Sequence, residues 1–209
     1  MMKKAISIFL TVLMLMIFFT GCSNDNKSSS RISVKMSDLP YGSTMVNDNK
    51  NYKIPILYDK RFLEANQLKA VTDYYYSIQA KDLALYEATM IPIFSEFIKA
   101  NSSTGEADAK YILENAHSTL NAMIGENFKI KSCEITAITT EKVISGIDTV
   151  LEKMNLVSKE IDGTRISDKI KKGYAVTVSF TVQSGEKSTI ISDDILYLFE
   201  MDDKIYVLI

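Results

Sequence analysis

The sequence predicts an α+β fold: N-terminal helices packed on a curved antiparallel sheet of about four strands, with a helical insertion between strands. Three observations carry this. Leu68, Val71, Tyr75 and Ile78 are spaced by three, four and three residues, which places them on one face of a helix. Tyr174 to Val182 alternates apolar and polar side chains almost without a break, the mark of a strand with one buried face. Helical spacing dominates before Gly125 and strand alternation after it, the segregated order of an α+β domain.

The elements follow in chain order. Tyr52 to Tyr58 is the first apolar cluster, and Pro55 restricts it to an edge strand or an extended arm, because proline offers no N–H to a ladder. The first helix carries the Leu68 stripe. Lys81-Asp82 interrupts it and opens a second helix through Leu83, Tyr86 and Met90, and Pro92 suits the first turn of a third piece bearing Phe94, Phe97 and Ile98. Ser103 and Glu106 have capping-box spacing ahead of a stripe formed by Ile112, Leu113, Ala116, Leu120 and Met123. Phe128 to Thr139 reads as a strand in which Phe128 and Ile130 occupy one phase and Cys133, Ile135 and Ala137 the other, so a bulge or twist is expected between them. Ser145 to Glu160 is helical again, with Ile147, Val150, Leu151, Met154 and Val157 on one side, and is read as a crossover between strands. After the Tyr174 strand and a turn at Ser184 to Lys187, Ile195–Met201 and Lys204–Ile209 form a closing hairpin around Asp202-Asp203.

The amino terminus has a different character. Lys3 and Lys4 precede an uncharged apolar run from Ala5 to Phe19, which gives way at Thr20-Gly21-Cys22 to a polar stretch rich in Ser and Asn. This is the layout of an export signal, and the run falls short of the roughly 20 apolar residues a spanning helix needs. Phe19-Thr20-Gly21-Cys22 resembles the lipobox of bacterial lipoproteins, with Phe19 where leucine is usual. That resemblance implies cleavage ahead of Cys22, a diacylglyceryl group on its thiol, and a mature protein lipid-anchored to the outer face of the cytoplasmic membrane. The alternatives are an ordinary secretory signal with an incidental cysteine and an uncleaved anchor. The expected organisation is a signal peptide over 1–21, a flexible tether over 22–51 with Pro40 and Gly42 as breakers, and the folded domain over 52–209.

Composition narrows the partners. The 24 basic residues become 22 once Lys3 and Lys4 are removed, against 26 acidic ones, leaving a mature charge of about −4. With no basic excess to neutralise phosphates, nucleic acid is not an expected partner. Once Cys22 is acylated only Cys133 remains, so no internal disulfide forms and Cys133, in a strand, is expected to be a buried inert thiol. The sole histidine, His117, has no second histidine or cysteine beside it for a metal site and is read as a surface or boundary residue. No metal and no cofactor is expected.

The helices-first order, ending in the meander Tyr197 to Ile209, resembles the cone-shaped domains similar to nuclear transport factor 2, also called cystatin-like. Tyr74-Tyr75-Tyr76 to Asp82-Leu83 resembles that family's first helix, turn and second helix. The resemblance implies a long helix across a curved sheet, and a concave face that hosts either enzymes or binding modules. In its isomerase-like members a helix tyrosine and sheet carboxylates point into an apolar cavity, so the weak catalytic candidates are Tyr75 and Glu134. Asp194 and Glu200 flank or end their strand, and Thr177, Ser179 and Thr181 are expected to face solvent. The leading expectation is a non-enzymatic domain that binds a protein, peptide, glycan or small apolar ligand. An isomerase- or dehydratase-like enzyme and a homodimerising stalk domain are the alternatives.

Overall fold

The computed structural model describes residues 45–103, 105–139 and 147–209. The leader, Cys22, the tether up to residue 44 and the expected helix start at Ser145 lie outside the described residues. Those described form an α+β domain built on a six-stranded sheet. Its strands are β1 (Met45–Asp48), β2 (Ile56–Asp59), β3 (Lys129–Thr139), β4 (Lys172–Ser184), β5 (Lys187–Met201) and β6 (Lys204–Leu208). They lie in sequence order across the sheet. All neighbours are antiparallel except β2 and β3, which run parallel. A parallel pair needs a long connection, and four helices supply it: α1 (Ala65–Ala80), α2 (Leu83–Thr89), α3 (Phe94–Asn101) and α4 (Ala109–Ile124). The fifth, α5 (Asp148–Asp162), stands between β3 and β4.

The sheet is larger than the expected four strands and is mixed, for identifiable reasons. β1 falls inside the stretch read as tether, where its four polar and apolar residues carry too short a pattern to signal a strand. Pro55 does not make an edge: it sits one residue before β2, and its carbonyl accepts the Cys133 N–H at 2.8 Å, so its missing N–H is never needed inside the ladder. β5 begins at Lys187, eight residues before the expected Ile195, because the acidic pair Asp193-Asp194 in its middle hides the continuity. Since β3 and β4 are adjacent and antiparallel, α5 is an insertion in a hairpin and not a crossover.

The helices follow their sequence signals closely, with shifts at the ends. Lys81 adopts the left-handed conformation that stops α1, and Asp82 caps α2 by accepting the Leu85 N–H at 3.0 Å. α3 starts after Ile93, so Pro92 precedes the helix instead of lying in its first turn. The cap of α4 is Asp108, which accepts the Tyr111 N–H at 2.9 Å; Ser103 lies outside the helix. The α4 stripe ends on buried Ile124 while Met123 is 49% exposed, since a step of four from Leu120 stays closer to the buried face than a step of three. Ile147, the residue that caps α5, and Met154 within it are buried, but so are Asn155 and Ser158, and the Asn155 side chain accepts the Ser167 N–H at 3.0 Å.

α1 lies across β3, β5 and β6. Its predicted stripe of Leu68, Val71, Tyr75 and Ile78 is buried, facing Cys133 and Ile135 of β3, Val176, Val178, Phe180 and Val182 of β4, and Leu196 and Leu198 of β5. Three register breaks shape the sheet beneath it. The first, between Ile130 and Ser132, is the phase change anticipated between Ile130 and Cys133. The second, between Ile135 and Ala137, turns Ala137 outward and brings Ile138 toward the core instead. A bulge leaves ladder groups to be satisfied by other means. Gln79 meets that need at the first, accepting the Ile130 N–H at 2.6 Å, and Thr136 at the second, donating to the Thr177 carbonyl at 3.2 Å. Gln79→Ala should therefore lower stability by about 1–3 kcal/mol, the cost of an orphaned N–H, read as a lower urea midpoint at unchanged slope.

Candidate functional site

The third register break builds the most chemically loaded point of the domain. On β4, Val178 and Phe180 are two residues apart, yet their partners on β5 are Asp194 and Ile191, three apart. The extra residue is absorbed where Asp193 takes a left-handed conformation (φ 62°), which short polar side chains tolerate. Cross-strand partners share a face, so Ile191 and Asp194 both turn inward, beside buried Phe180 and Val178. A β5 strand without the bulge would direct Asp194 away from the core.

From the opposite layer, α1 delivers Tyr75. Its hydroxyl donates to Asp194 Oδ2 at 2.6 Å, across 119 positions of sequence. The ring lies 4.6 Å from that of Phe180 and 5.1 Å from that of Tyr74, and the residue is only 1% exposed. Tyr75 and Gln79 are four apart on the same helix face, so one row of α1 engages both the β5 bulge and the first β3 bulge. Burial raises the Asp194 carboxyl above its ordinary value of 3.8; the Tyr75 hydroxyl and the Ile195 N–H pull the other way without cancelling it. Burial, reinforced by the Asp194 charge, lifts the Tyr75 hydroxyl well above the usual tyrosine range. Burial and then Asp194 likewise raise the Cys133 thiol, keeping it protonated and unreactive.

The structure thus gives Tyr75 a carboxylate partner other than the one considered from sequence. Glu134 is exposed between buried Cys133 and Ile135, and pairs across the ladders with Leu57 and Ser179 on the outer face. A tyrosine on the inner face and a glutamate on the outer face form no pair. Along β5 inward residues fall at odd positions before Asp194, as at Ile191, and at even positions after it, as at Leu196 and Leu198, but Ile190 and Ile191 are both apolar, so the sequence does not show which of them is buried or where the phase changes. Thr177, Ser179 and Thr181 alternate with the buried valines and Phe180 and so lie on the outer face. Cys133 is buried, as expected of an inert thiol. His117 is half-buried; its Nδ1 lies 2.8 Å from the Ile78 carbonyl near the end of α1, and its ring packs 4.9 Å from Phe128.

A separate cleft of about 280 Å³ opens to solvent between the end of α2, the start of α3 and Ala109 of α4. Its floor of Met90, Ile91 and Phe94 belongs to the core, and Glu87 and Glu96 stand at its rim. Among the described residues, no group of three or more His, Cys, Asp or Glu side chains could hold a metal ion, and no helix is long and apolar enough to cross a membrane. In comparisons with known proteins, no family model, no curated protein and no solved structure matches this chain.

Proposed function

We propose that the chain is a bacterial lipoprotein, held by acylated Cys22 at the outer face of the cytoplasmic membrane, whose domain works by binding a protein, peptide, glycan or small apolar ligand. The Lys3-Lys4 leader and the sequence Phe19-Thr20-Gly21-Cys22 support the anchor. The observation that supports binding over turnover is the state of Tyr75: its ring is packed against Phe180 and its one donor is committed to Asp194, leaving nothing to offer a substrate. Buried tyrosines are commonly held this way, with the apolar body in the core and the hydroxyl on a polar partner. The apolar-floored cleft at α2, α3 and α4 is open, though its volume lies just under the roughly 300–1,000 Å³ of small-molecule sites.

The isomerase- or dehydratase-like reading is kept as a second one because of a specific feature, the raised affinity of Asp194 for a proton beside a tyrosine hydroxyl. Perturbed carboxyls of this kind are what general acids and bases require. The proposed likeness to the cone-shaped domains rests on α1 lying across the sheet; the β1–β2 hairpin ahead of α1 departs from the helices-first order behind that likeness.

Tyrosine nitration of the native full chain by tetranitromethane, mapped by peptide mass spectrometry, separates the two readings. Tyr111, 53% exposed, should react while Tyr75 stays unmodified until the domain unfolds. Nitration of Tyr75 in the native state would show a reagent-accessible pair and favour the enzyme.

A further inference from the structure

We propose that the cleft between α2, α3 and Ala109 is a docking site for a basic, apolar peptide segment, which sets one apolar side chain on the floor and lysine or arginine against the carboxylates at the rim. The inference rests on the binding reading above and deepens it by naming the partner's chemistry. It begins from how the cleft is held. Met90 bridges to Val207 of β6, and the Ile91 N–H donates to the Val207 carbonyl at 2.8 Å, so the chain leaving α2 is tied to the sheet. It then reverses through Pro92 and Ile93, and the Phe94 N–H already returns to the Ile91 carbonyl at 3.0 Å. Ile93 takes a left-handed conformation (φ 68°, ψ 6°), a genuine outlier for a β-branched side chain. Such a conformation persists only where the surroundings over-determine it. The wall of the cleft is therefore fixed before anything binds, which spares a ligand the ordering cost of a soft site.

The lining sets the ligand's chemistry. Met90, Ile91 and Phe94 form an apolar floor, while Glu87 of α2 and Glu96 of α3 are exposed at the rim. No lysine, arginine or histidine lines the cleft, and among the described residues neither glutamate side chain has an ion-pair or hydrogen-bond partner. Lys110, next to Ala109, lies 3.9 Å from Glu114 instead. An anionic ligand would meet like charge at the rim, whereas a cation carried beside an apolar group matches both rim and floor. The volume of about 280 Å³ lies below that of small-molecule sites and the mouth is open to solvent, which suits one side chain of an extended peptide whose backbone stays outside. The two carboxylates are not equivalent. Glu87 stands in the last turn of α2, where unsatisfied carbonyls add to its negative charge, and Glu96 in the first turn of α3, where N–H ends offset part of its own. The Glu87 side should therefore hold a cation more strongly.

The test is methyl NMR of the isoleucines and methionines of the full chain, held in nanodiscs of zwitterionic phospholipid. The probes are blocked pentapeptides with a central leucine flanked by lysines, by glutamines or by glutamates, and a fourth in which glycine replaces the leucine of the lysine peptide. The lysine–leucine peptide should shift the Met90, Ile91 and Ile93 methyls and bind about 1.5- to 5-fold more tightly per lysine than its glutamine counterpart, the range of solvent-exposed ion pairs. That margin should shrink as salt is raised. Glu87→Gln should remove more of it than Glu96→Gln, and since both residues are exposed neither variant threatens the fold. Equal affinity for the lysine and glutamine peptides, equal affinity for the glycine peptide, or no shift at these methyls would overturn the inference. So would shifts of the same methyls with protein concentration alone, which assign the cleft to a second copy, or tighter binding of hexylamine, which assigns it to a small amphiphile. None of these outcomes alters the nitration pattern of Tyr75, which judges the binding reading on its own.

Discussion

With the proposed anchor, Cys22→Ser should abolish incorporation of a fatty-acid analogue and move the protein from the membrane fraction to the soluble one or stall it as precursor. This is the largest effect expected of any single substitution, because the proposed anchor depends on one atom. Each acyl methylene buried in the bilayer contributes about 0.8 kcal/mol, and two chains suffice for stable attachment where one gives only reversible binding. Without the thiol there is no acceptor for the diacylglyceryl group, and the entire term disappears. Metabolic labelling followed by fractionation reads both consequences. Equal labelling of wild type and Cys22→Ser would remove the basis for placing the protein at the membrane surface.

Val71→Asp unfolds the domain or nearly so. Val71 is fully buried on α1, in the stripe that faces the sheet, with Leu68 and Tyr75 on either side. An aspartate there has no cation to pair with and no water to hydrate it, a cost of several kcal/mol against a total stability of about 5–15 kcal/mol for a domain of ordinary size. Thermal melting followed by circular dichroism should show a large fall in midpoint or no cooperative transition. Val71→Ala separates charge from cavity: it should lose about 1–3 kcal/mol and still melt cooperatively. An unchanged midpoint for the aspartate would mean that α1 presents a different face to the core.

The helices were readable because their signals are local. The stripe at Leu68, Val71, Tyr75 and Ile78, the break at Lys81-Asp82 and the alternation from Tyr174 to Val182 each depend on residues within a few turns or one strand, and the structure buries the stripe, ends one helix and caps the next at the break, and buries alternate residues of the strand. The misses share an opposite character. β1 and the first half of β5 have weak patterns of their own and exist because a neighbouring strand pairs with them. Pro55 is tolerated inside the sheet region only because its carbonyl, and not its nitrogen, meets Cys133.

Side-chain chemistry divides in the same way. Charge balance, the absence of a second free thiol after acylation, the candidate anchor at Cys22 and the amphipathic face of α1 are properties of composition and short spacing, and they need no fold to be evaluated. The partner of Tyr75 is different. Glu134 and Asp194 are both carboxylates on strands, and nothing in either residue's immediate neighbourhood ranks one above the other. The choice was made by a single extra residue in β5, which inverts the facing of every side chain after it and brings Asp194 under a helix 119 positions away while Glu134 stays on the outer face. Facing has a period of two along a strand, so one bulge is enough to exchange inside for outside, and only the pairing of β4 with β5 reveals where that bulge lies.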